Sequence, residues 1–151
     1  MYRQARPTQD LVVYAGHVVE SLLRDLAFAI HRTLDQPSAP NVHDLRRACL
    51  RLRHAVRWFD GVLPRPAARK ARRRLGTLQD VLAAVRSCDV ALGVLEYHSL
   101  AAAMTPRERK EVVAALAAAR RHGLRPLRAR LRRLQRAEVL RRWRAQLLGA
   151  A

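Results

Sequence analysis

Val42 to Phe59 carries the chemistry that this sequence offers. Wound as an α-helix at about 100° per residue, the segment separates into two faces. Leu45, Ala48, Cys49, Leu52, Ala55, Val56 and Phe59 share one side. His43, Arg46, Arg47, Arg51, Arg53, His54 and Arg57 share the other, and no acidic residue falls within that arc. Surface helices usually mix charges, because opposite charges four residues apart support each other. Here the arc accepts like-charge repulsion, which a polyanion lying along it would relieve. The guanidinium fork presents parallel donors that fit phosphate oxygens. Arg46 and Arg53 are two turns apart, about 10.5 Å along the axis, so they define a line that an extended phosphate chain can follow.

A second basic cluster, Arg69, Lys70, Arg72, Arg73 and Arg74, follows a short turn that brings it near Arg57. It is expected to form a second wall or, alternatively, to cover the rim of the bundle. Asp80 and Asp89 are nine residues apart, about 180° out of phase on a straight helix, so they cannot hold one ion together. Each is expected to orient an arginine of a neighbouring helix, with Arg86 in the same layer. Arg125, Arg128, Arg130, Arg132, Arg133, Arg136, Arg141, Arg142 and Arg144 point in almost every direction on the last expected helix. They predict non-specific charge rather than one face. There is no Gly-rich phosphate loop, and no nucleophile or set of acidic metal ligands accompanies the arginines. The expectation is a binding protein rather than an enzyme, with no cofactor and no metal site.

The elements that must position these residues read as helices. The chain has 151 residues, a net charge of +18 and a pI near 11.8, and only Lys70 and Lys110 among its 30 basic residues are lysine. Half of the residues are apolar and only 5% aromatic, so the core must be built mostly from Leu, Val and Ala. No stretch alternates with period two. The spacing predicts helices over Thr8–Leu34, Asn41–Leu63, Ala67–His98, Thr105–His122 and Pro126–Leu148, with Gly123 as a C-terminal stop. Thr105, Pro106 and Glu108 form a capping box with proline at the first helical position. Short connections make neighbours antiparallel, so an all-α bundle of four or five long helices in one domain, residues 1–151, is expected. No disulfide framework, signal peptide or transmembrane run is visible, and a cytoplasmic location is the default.

Val42-His43-Asp44-Leu45-Arg46-Arg47-Ala48-Cys49-Leu50-Arg51-Leu52-Arg53 resembles the V-H-x-x-R-x-x-x-[RK]-R-L-R hallmark of the CHAD family, the conserved-histidine α-helical domain. Leu82 to Val90 is similar to a later hallmark, L-G-x-x-R-D-x-D-V. Leu50 departs from the first motif, and Ala83 and Ser87 from the second. The resemblance covers about one half-domain, from the first helix to about Leu95. The resemblance implies binding of inorganic polyphosphate without catalysis, and association with polyphosphate granules. The residues it brings forward are His43, Arg46, Arg47, Arg51, Arg53, His54, Arg57, Arg69, Lys70, Arg73 and Arg86. Spacing alone would leave His43 as a solvent-facing helix histidine; the resemblance makes it a phosphate donor. Full-length family domains set two similar halves around a basic cavity, so a two-fold homodimer is expected here. Leu127, Leu131 and Leu134 would pack at home while Leu140, Trp143 and Leu147 met the partner copy. The alternative function is nucleic-acid backbone binding, with Trp58 the one aromatic at the edge of the arc for stacking a base. No membrane partner is expected.

Overall fold

The computed structural model describes residues 8–97, 102–136 and 138–149. Five helices follow in order: α1 (Gln9–Asp35), α2 (Ala39–Trp58), α3 (Arg65–Tyr97), α4 (Pro106–Arg136) and α5 (Val139–Leu148). Each of the first four packs on the next, and α5 packs across α1, α3 and α4. The architecture is the expected all-α bundle.

Local chemistry explains most of the boundaries. The Thr8 side chain caps α1 by accepting from the Leu11 N–H at 3.4 Å. Ser38 caps α2 in the same way, with Pro40 in the first turn. Between them, the Thr33 hydroxyl donates to the Ala29 and Asn41 carbonyls, and the Asn41 amide donates to the Gln36 carbonyl at 2.7 Å. That lattice fixes the α1–α2 corner. Helix α2 ends at Trp58, five residues short of the expected Leu63, and continues as turns to Leu63. In the capping box of α4, the Glu108 carboxylate accepts from the Thr105 N–H at 2.8 Å, and the Thr105 hydroxyl accepts from the Glu108 N–H at 3.2 Å. The Thr105 N–H, and with it the Thr105 hydroxyl, donates to the Glu108 carboxylate and lowers its pKa.

The expected break at Gly123 does not occur. Helix α4 runs through both Gly123 and Pro126 to Arg136. Gly123 sits where α4 crosses α3; a Cβ there would lie 3.2 Å from Val85 Cγ2. Its small size serves close helix packing rather than termination. Pro126 removes one backbone donor, but it lies on the exposed side of the helix, as does His122, whose carbonyl loses its partner. The chain turns instead at Glu138, whose φ is +46°. That residue sends α5 back, so Val139, Trp143 and Leu147 enter the same core as Leu127, Leu131 and Leu134. The two apolar stripes of the expected fifth helix therefore pack within one chain, and the second is not left for a partner.

One buried cluster links all five helices through Val19, Leu26, Leu45, Leu52, Leu75, Leu82, Leu127 and Trp143, among others. Cys49 lies inside it, as its face predicts, and burial pushes its thiol pKa up to about 12. The cluster stops near Val85 and Leu124. Beyond Val85 on α3, Val90 is exposed and Leu92 and Leu95 are half-buried. Val12, near the start of α1, is exposed as well.

A candidate polyanion-binding cleft

Two cross-links define how α2 lies on α3. The Arg53 guanidinium donates to Gln79 Oε1 at 2.8 Å, and Arg72 pairs with Asp60 at 3.5 Å. The helices are therefore antiparallel, in a register that sets the end of α2 beside the start of α3. It also sets position 46 level with 86, and 43 level with 89.

At that junction Arg53, His54 and Arg57 from α2 face Arg69, Arg72 and Arg73 from α3 across an open cleft of about 560 Å³. No carboxylate of the described residues lines it. Arg53 is held in place by Gln79 and lies over Gly76, whose Cβ position is 4.0 Å from the guanidinium. Among the described residues, the other five side chains have no such anchor apart from the Arg72–Asp60 pair at the rim. Five guanidinium groups and an imidazole thus converge from two helices, each able to donate into the same space. Of the second basic cluster, Arg69, Arg72 and Arg73 line the cleft, whereas Lys70 and Arg74 do not.

The rest of the basic arc is divided by the neighbouring helix. Arg47 and Arg51 turn toward α1 and line a separate groove with Asp25, Arg32 and Asp44. Arg32 and Asp44 approach to 3.9 Å there. The arc is acid-free on its own helix, but α1 brings Asp25 against it, and Asp44 at its margin joins the same groove. A single-helix projection cannot show that. Arg46 is exposed and lines neither depression. His43 is half-buried, and its Nδ1 is buried without a hydrogen-bond partner among the described residues. It sits about 16 Å along α2 from His54, away from the cleft. Lys70 is exposed and Arg86 half-buried; both lie outside the cleft lining.

Of the two aspartates expected to orient arginines, Asp89 does so. Its Oδ1 accepts from Arg120 Nε at 2.5 Å, while Arg120 Nη2 donates to the Pro37 carbonyl at 2.8 Å. The pair ties α3 and α4 to the α1–α2 corner. Asp80 is exposed and forms no ion pair with a described residue. Among the described residues, no three His, Cys, Asp or Glu side chains gather as a metal site requires, and no helix is long and apolar enough to cross a membrane.

The family model of the CHAD domain matches residues 17–151. The match runs past Leu95, the expected end of the resemblance, and takes in α4 and α5. No curated protein and no solved structure matches the chain.

Proposed function

The chain belongs to the CHAD family, and on that premise we propose that it is a binding module for inorganic polyphosphate, with no catalytic step of its own. The observation that supports this reading most directly is the cleft between α2 and α3, where five arginines and His54 meet with no carboxylate among them. A flexible chain of phosphates has the charge density to neutralise such a site and no need of base-edge recognition. Targeting of the protein to polyphosphate granules follows from the same reading.

Binding should be electrostatic and strongly salt-dependent. If about five phosphates are neutralised, the slope of log affinity against log salt should be of order −3 to −4, at roughly 0.7 per contact. Fluorescence titration with long polyphosphate over a salt series measures it; a slope near zero would overturn the reading. Nucleic-acid binding is the second reading, because Trp58 is 86% exposed next to Arg57 and presents a ring on which a base can stack. Competition of long polyphosphate against single-stranded DNA and RNA at two salt concentrations separates the two. Polyphosphate should displace both, and Trp58→Ala should leave its affinity unchanged.

We also propose a two-fold homodimer, in which a second copy covers the open side of the cleft. Its support is the exposure of the cleft rather than the last helix, whose apolar residues are already used at home. Repulsion between chains of +18 each opposes association, so polyphosphate and moderate salt should promote it. Light scattering with and without polyphosphate should show a doubled mass when polyphosphate is present; a monomeric mass in both conditions refutes the dimer.

A further inference from the structure

A second set of arginines converges on the other side of the start of α3. Arg74 from α3, Arg130 and Arg133 from α4, and Arg142 from α5 line a depression of about 300 Å³, floored by Leu134 and Val139. Thr77 completes the wall, with its hydroxyl donating to the Arg73 carbonyl at 3.0 Å. No acidic residue lines this depression. None of the four arginines forms an ion pair with a described acidic residue, whereas Arg141 and Arg144 on the same short helix pair with Glu138 and Glu20. The charges here are thus gathered and uncompensated, which costs repulsion in the absence of an anion. The gathering depends on the reversal at Glu138, which folds Arg142 of α5 back toward Arg130 and Arg133 of α4.

The two basic depressions share one helix. Arg73 lines the cleft with α2, and Arg74 lines the depression with α4 and α5. At about 100° per residue, Arg73, Thr77, Lys70 and Arg74 follow one another round the outward face of α3 within roughly 100° of arc. All four are exposed. Lys70 lies between the two depressions with its charge facing out. We propose that the α3–α4–α5 depression is a second oligophosphate-binding site, and that one long chain passes from the α2–α3 cleft across Lys70 into it. The inference rests on the polyphosphate reading above and extends it to the path of the polymer. Occupying two sites with one chain replaces a second bimolecular step by an intramolecular one, so affinity should climb steeply once the chain is long enough to span them.

Calorimetric titration with tripolyphosphate, a chain too short to be shared, tests this. The protein should take two molecules per chain. The Arg133→Ala/Arg142→Ala variant should take one, while Arg125→Ala/Arg128→Ala, which removes the same charge from exposed positions outside both depressions, should still take two. Long polyphosphate should bind the parent protein roughly 10²-fold or more tightly than tripolyphosphate, and the Arg133→Ala/Arg142→Ala variant should lose most of that gain. Circular dichroism of each variant checks that the fold persists; all four substituted side chains are exposed. One tripolyphosphate per parent chain, or equal losses in the two double variants, overturns the second site and leaves the first standing. Absence of binding by short and long chains alike overturns the polyphosphate reading itself.

Discussion

Asp89→Ala is expected to destabilise the protein by about 3–5 kcal/mol, the usual cost of stripping one partner from a buried ion pair. The side chain of Asp89 is 2% exposed and that of Arg120 19%. Without the carboxylate, the Arg120 guanidinium stays among α3, α4 and the α1–α2 corner with only the Pro37 carbonyl to accept from it. At 19% exposure, the Arg120 side chain has only partial access to the water that would otherwise solvate its charge. For a chain of this length each kcal/mol corresponds to a melting shift of roughly 2–4 °C, so the midpoint should fall by about 10 °C. Because the pair is buried, the loss should persist in high salt, unlike that of an exposed pair such as Arg107–Glu111. The double variant Asp89→Leu/Arg120→Met should recover much of the stability, since it removes both charges together. Thermal melts of the three variants at low and high salt give the answer. A shift of under 2 °C for Asp89→Ala would show that the pair does not brace the helices.

Arg53→Ala/Arg57→Ala should weaken polyphosphate binding about 100-fold, near tenfold for each charge-assisted contact removed. Arg47→Ala/Arg51→Ala removes the same formal charge from the same helix and should cost far less. The difference lies in what faces them. Arg53 and Arg57 look across the cleft at Arg69, Arg72 and Arg73, whereas Arg47 and Arg51 share their groove with Asp25 and Asp44. Those carboxylates lower the local potential that a phosphate would meet. Arg53 is also held by Gln79, so less side-chain freedom is lost when it meets an anion. Arg53→Ala frees Gln79 Oε1, but at an exposed hydrogen bond, so the fold should survive and binding should report the site. Equilibrium titrations of the two double variants at fixed salt decide the matter. Equal losses would mean that polyphosphate responds to total charge rather than to this cleft.

The helical class, the basic face of α2, the capping box of α4 and the burial of Cys49 all follow from the order of residues along the chain. They depend on interactions within four residues of each other, and periodicity records those directly. The approach of the Arg69–Arg73 cluster to Arg57 was also readable, because a short turn leaves little freedom. Other features needed the neighbours. Gly123 and Pro126 carry the local signature of a break, yet α4 continues, because Leu124, Leu127 and Leu131 bury against the other helices and Gly123 fits beside Val85. The true reversal, at Glu138, has no glycine or proline to announce it. The basic arc of α2 looks uniform by itself, and only α1, bringing Asp25, separates Arg47 and Arg51 from Arg53 and Arg57. The arginines of α4 and α5 point everywhere when they are placed on one straight helix. Folded back at Glu138, three of them meet Arg74. Charge and amphipathicity belong to single helices, so the sequence by itself determines that this protein presents a strongly cationic helical surface. Which cations share a cavity depends on side chains far apart in the chain, and the packing of the helices alone decides it.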